Sequence, residues 1–116
     1  MDANEYQKLA ARTLTSKPGA PLSDADAMLI WNALGLTGEA GEVADLIKKG
    51  VFHQHGVDKQ KLLKELGDVM WYIAAMCTGM GATMSDVMAM NIEKLKTRYP
   101  DGFKTTDSLA RIDVHS

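Results

Sequence analysis

Apolar residues recur at helical spacing along almost the whole chain, and the strict alternation of half-buried strands is missing. The pattern predicts four helices. The first covers about Ala3 to Leu14, and Ser16-Lys17-Pro18-Gly19-Ala20-Pro21 breaks it with two prolines and a glycine. Ser23 or Asp24 then caps a long second helix that runs to about Lys49 and stops before Gly50. Phe52 to Val57 reads as a turn, after which Asp58 caps a third helix from about Lys59 to Met80. The apolar stripe of that helix is Leu62, Leu66, Val69, Ile73, Met76 and Met80, and Gly79-Met80-Gly81 closes it. Ser85 or Thr83 opens a fourth helix, which carries Val87, Met88, Ile92 and Leu95 and ends before Pro100. The stretch beyond Asp101 has little periodicity, and 104–116 is expected to be an irregular arm. Short loops make neighbours antiparallel, so the expected fold is an all-α, four-helix antiparallel arrangement.

Length and composition narrow the function classes. A chain of 116 residues is one domain's worth, and 46% apolar residues can build a core, although a small domain buries a modest share of its surface. Association between copies would help it. The formal net charge of −2 gives no reason to expect nucleic acid or an anionic membrane as partner. Cys77 is the single cysteine, which excludes an intramolecular disulfide and fits a reducing cytoplasm. Between Met76 and Met80 it reads as a buried, inert thiol. Neither a signal-like start nor a bilayer-length apolar run is present, so a cytoplasmic location is expected.

Two acidic pairs carry the chemistry. Glu39 and Glu42 lie three apart on the second helix, and Glu65 and Asp68 lie three apart on the third. That step places both members of a pair on one helical face, and Asp45 extends the first row. Acids so spaced can simply form a solvated face. Here, however, they are embedded in apolar sequence, as in Leu66-Gly67-Asp68-Val69-Met70-Trp71. In an antiparallel hairpin the two pairs can face each other. Four partly desolvated like charges would raise one another's pKa, and a divalent cation relieves the conflict. Hard oxygen donors suit Mg²⁺ or Mn²⁺, whereas zinc would favour the His and Cys that this face lacks. Gly35, Gly38 and Gly41 recur every three residues, with Gly67 between the acids of the third helix. Each interior glycine costs a helix about 1 kcal/mol relative to alanine, so close helix–helix approach is the expected reason.

The run Gly35-Leu36-Thr37-Gly38-Glu39-Ala40-Gly41-Glu42-Val43-Ala44-Asp45, followed by Lys64-Glu65-Leu66-Gly67-Asp68-Val69-Met70-Trp71-Tyr72, resembles the paired E-x-x-E and E-x-x-D signature of MazG-like pyrophosphohydrolases. Asn91 to Phe103 resembles the closing segment of that family, and the likeness spans about Ala25 to Phe103. The resemblance implies an all-α enzyme that converts (deoxy)nucleoside triphosphates to monophosphate and pyrophosphate, often as house-cleaning of the nucleotide pool. It implies Glu39, Glu42, Glu65 and Asp68 as Mg²⁺ ligands and a dimer or dimer of dimers with active sites near subunit contacts. For this short chain, with Trp31, Trp71 and methionine-rich third and fourth helices, a homo-oligomeric tetramer is slightly favoured over a dimer. Base preference varies within the family, and the full-length two-domain MazG protein is much longer than this chain.

Roles follow for further residues. Glu39 is the first choice to orient or deprotonate water, although the residues alone do not separate it from its three partners. Asn91 and Lys94 share a face of the fourth helix with Arg98 one turn on, and they can meet the triphosphate or simply answer the helix dipole. Lys48 and Lys49 read as dipole partners of the second helix. Tyr72, four residues after Asp68, can pack on sugar or base, or belong to the core. Trp31 and Trp71 read as core or interface, the crowded methionines as adaptable packing between subunits, and His53 and His55 as plain loop histidines. Two rival readings stand beside this one. The first is a pyrophosphohydrolase acting on phosphoribosyl-ATP or an alarmone, and the second is a non-enzymatic helical interaction module.

Overall fold

The computed structural model describes residues 1–14, 21–53 and 56–102. Four helices follow in order: α1 (Ala3–Ala11), α2 (Asp24–Phe52), α3 (Lys59–Gly79) and α4 (Met84–Arg98). Among the described residues there is no strand, only an isolated bridge between Pro100 and Gly102. The chain is all-α, as its periodicity predicts.

Side-chain caps set the helix starts. Asp2, Ser23, Asp58 and Thr83 each accept the backbone N–H three residues on, at 2.8 to 3.1 Å. Each bond satisfies a donor that the helix itself leaves unpaired. Ser23 rather than Asp24, and Thr83 rather than Ser85, holds the cap. The helix ends follow other causes. Helix α1 stops at Ala11, short of Leu14, and Thr13 folds back so that its hydroxyl donates to the Ala10 carbonyl at 2.9 Å. Helix α2 passes straight through Gly50 to Phe52, so that glycine is not a stop. A β-carbon at Gly50 would lie 2.8 Å from the Gly56 carbonyl oxygen and 2.9 Å from the Val57 α-carbon. The returning chain needs that space. Gly81, at φ 68°, turns the chain out of α3 as expected. The proline-rich break over 15–20, His55 and the arm over 104–116 lie outside the described residues.

Helices α2 and α3 form an antiparallel hairpin, with Leu29 beside Gly79, Gly35 against Tyr72 and Gly50 against Val57. Helices α3 and α4 share a lesser contact, and α1 buries no residue. The hairpin is thinly covered. Among the described residues only Asn32, Gly50 and Cys77 are buried, and Cys77 fits the expected inert thiol. Trp31 and Trp71 are 72% and 63% exposed, so neither belongs to a core of the single chain. Leu66 and Met80 of the α3 stripe are exposed as well. The radius of gyration is 20.2 Å, against roughly 13 Å for a compact domain of about 100 residues. No helix among the described residues is long and apolar enough to cross a membrane.

Candidate metal centre

The hairpin register brings the middle of α2 against the middle of α3. Glu39, Glu65 and Asp68 each direct a carboxylate oxygen into one spot, and these oxygens lie within 4.8 Å of one another. Glu39 and Glu65 are half-buried and Asp68 is exposed. Asp68 and Glu39 border a cavity of about 360 Å³ whose other walls are Trp71 and Tyr72. The two rings meet edge to face, with centroids 5.0 Å apart and planes at 83°. Tyr72 holds this place because Gly35 lacks a side chain, since a β-carbon there would overlap its ring.

The electrostatics mark the same spot. The Glu39 carboxyl is held above the ordinary glutamate range, chiefly by a hydrogen bond that its protonated form donates to Glu65. Burial adds to the rise, followed by the charges of Asp68, Glu65 and Glu42. Asp45 behaves in the opposite way. It pairs with Lys49 at 2.8 Å, which lowers its pKa and takes it out of the acidic row. The three converging acids have no comparable lysine or arginine bridge among the described residues. A tight group of oxygen donors without a protein cation suits a hard divalent ion, and no His or Cys joins the group.

Residues 31–103 match the MazG nucleotide pyrophosphohydrolase domain. The chain belongs to the MazG family. It is also 38% identical over 106 residues to the Gene 37 protein of Mycobacterium phage L5, an alignment covering 88% of this chain and 92% of that one. No solved structure matches. The MazG match contains all the carboxylates expected at the site, but the fold treats them unequally. Glu42 stays exposed and outside the group of three, one turn along α2, from where its charge still reaches Glu39. Asn91, Lys94 and Arg98 do not line the acidic cavity, whose walls come from α2 and α3 alone. Gly38, Gly41 and Gly67 meet nothing within 4 Å in the single chain. Close approach inside the chain therefore explains Gly35 and not the other three. Trp71, read from sequence as core or interface, is exposed in the single chain and walls the acidic cavity.

The raised Glu39 has a pH consequence. A carboxyl whose folded pKa lies above its unfolded value stabilises the fold at low pH, and that contribution is lost as pH rises through the raised value. Without metal, melting temperature is therefore expected to fall as pH climbs from the ordinary glutamate range upward. Mg²⁺ should reverse the fall and displace the proton. Melting curves at several pH values with Mg²⁺ or EDTA, and titration of Mg²⁺ in weakly buffered solution, check both points. A pH-independent difference with no proton release would contradict the shared-proton geometry.

Proposed function

We propose that this chain hydrolyses (deoxy)nucleoside triphosphates to nucleoside monophosphate and pyrophosphate with Mg²⁺, as house-cleaning of the nucleotide pool. The convergence of Glu39, Glu65 and Asp68 at the mouth of an aromatic-walled cavity carries the reading. Those three residues would hold the ion, with Glu42 completing the set from the next turn of α2. A divalent ion there supplies a Lewis acid for phosphate oxygens and for water, with Mn²⁺ as a possible substitute. The protein's own groups do the rest. Glu39, deprotonated once a divalent ion takes the place of the proton it shares with Glu65, is suited to accept a proton from the attacking water. Tyr72 and Trp71 present flat faces to sugar and base. Attack at the α-phosphorus would make pyrophosphate the leaving group. Hydrolysis in ¹⁸O-water should place the label in the monophosphate and leave pyrophosphate unlabelled. Nucleoside diphosphate and orthophosphate as first products would sink the mechanism.

Assembly is part of the proposal. The accessible surface is 9785 Å², whereas a compact monomer of this mass exposes roughly 6,200 Å². Exposed Trp31, Met70, Met88 and Met90 supply apolar area of the kind that obligate homo-oligomers cover. A second copy would bring another α4 within reach, and Asn91, Lys94 and Arg98 would then meet the triphosphate from outside the hairpin. Light scattering should report a dimer or tetramer, the tetramer slightly favoured. Gly41→Ala gives an independent check, because alanine on a free helix face stabilises by about 1 kcal/mol. Destabilisation by Gly41→Ala would show a neighbouring copy pressed against that face. A stable monomer whose Gly41→Ala variant melts higher would overturn the assembly.

A further inference from the structure

The acidic cavity does not end at Trp71. On its other side the indole borders a second cavity of about 470 Å³, lined also by Asp24, Met28, Asn32, Ala75 and Thr78. Both hollows lie along one face of the α2–α3 hairpin, and Trp71 is their common wall. Asn32 stands out in the second. It is only 5% exposed, the most covered polar residue described, and its carboxamide makes no hydrogen bond to any described residue. The carboxamide still reaches solvent, and the cavity it lines is where its donor and acceptor stay open to a ligand. It lines that cavity with Asp24 and Thr78, whose hydroxyl is already engaged with the Ala74 carbonyl at 3.2 Å, so a ligand that meets the amide enters from the cavity.

We infer that the Asn32 cavity is the nucleobase subsite, with Asn32 reading the hydrogen-bonding edge of the base and Trp71 flanking its ring. The inference rests on the nucleotide reading above and adds the residue that sets base preference. A carboxamide offers a donor and an acceptor side by side, and nucleobases present the same adjacent pair on their edges. The exposed indole gives a broad face for stacking, whose strength depends little on which base is present. Selection therefore falls to Asn32. The layout fits an extended nucleotide, with the triphosphate at Glu39 and Asp68, the sugar near Trp71 and Tyr72, and the base at Asn32.

The test uses the full chain with Trp31→Phe, which leaves Trp71 as the one indole. Nucleoside monophosphates are titrated and Trp71 fluorescence is followed, with tripolyphosphate as a ligand that has no base. Pyrophosphate release is measured on a panel of nucleoside triphosphates, and Asn32→Leu and Asn32→Ala are compared with the parent. Asn32→Leu replaces an amide that makes no hydrogen bond to a described residue with an apolar group of similar size, so its melting temperature should hold or rise. Both variants should weaken the preferred monophosphate by about tenfold to a hundredfold, the loss of one or two hydrogen bonds. They should also flatten the ranking of bases and leave tripolyphosphate binding unchanged. An unchanged ranking and unchanged monophosphate affinity in folded variants would overturn the inference while the hydrolase reading stood. So would a change confined to molecular mass, which would place Asn32 in a subunit contact. Base-dependent binding lost in the variants, with no triphosphate hydrolysed by the parent, would uphold the subsite and remove the hydrolase.

Discussion

Glu39→Gln and Asp68→Asn are each expected to abolish Mg²⁺-dependent pyrophosphate release while leaving the helices intact. The loss should exceed about a hundredfold, because even residues that merely support a metal ligand cost that much. Glu39→Gln removes both a converging oxygen donor and the proton acceptor proposed for water, so its loss should be the deeper of the two. Stability should move the other way. Glu39 sits above its ordinary pKa range because its charge is unwelcome beside Glu65 and Asp68. A neutral amide relieves that conflict, and the metal-free Glu39→Gln protein should melt higher than the parent near neutral pH. Rates from product chromatography and melting curves in EDTA check the pair of effects. Activity within about tenfold of the parent in both variants would falsify the site, since no liganding role is so dispensable.

Gly35→Ala is expected to damage the hairpin with a single methyl. The added carbon falls within the space of the Tyr72 ring, which can only swing out or push the helices apart. Overpacking of this kind costs about 1–3 kcal/mol, and the better helix propensity of alanine offsets only about 1 kcal/mol of it. Tyr72 is also a wall of the acidic cavity, so KM for the triphosphate should rise along with the loss of stability. Combining Gly35→Ala with Tyr72→Ala separates the two causes. With the ring gone the overlap disappears, and the double variant should melt no lower than Tyr72→Ala alone. A Gly35→Ala protein that melts higher than the parent with unchanged KM would refute the close approach.

What could be read from the residues followed local physics. Ser23, Asp58 and Thr83 announce helix starts because a cap acts within three residues of itself. Of the acidic pairs, Glu65 and Asp68 do converge, as a three-residue step on one face allows, but of the other pair Glu39 alone joins them while Glu42 stays outside. Gly50 misled because a glycine that ends a helix and one that admits a neighbouring chain look alike in sequence. Only the returning Val57 tells them apart. Gly38, Gly41 and Gly67 failed in the opposite sense, since the approach assigned to them does not occur within one chain. Asn32 carried a weak signal, an amide seven residues before Glu39 and hence on nearly the same face of α2. In an apolar helix that reads as nothing until the fold shows it nearly covered and lining a cavity. For Trp71 the core half of its reading fails on its exposure, because aromatic bulk in a helix looks the same in sequence whether it faces a core, another subunit or a cavity.

The position of the acids along their helices has a mechanical consequence. Glu39 lies near the centre of α2, which has 29 residues, and Asp68 near the centre of α3, which has 21. Helices fray from their ends, and a helix the length of α2 is a rod roughly 43 Å long at the ordinary rise per residue. The carboxylates are thus mounted at mid-span, where bending and unwinding reach last. Local opening that loosens a helix end leaves the spacing of the oxygens unchanged, and losing that spacing requires the two rods to separate. Insertions or sequence drift in the connecting loops can then alter the ends of the hairpin freely, while the chemistry rides on its most rigid segment.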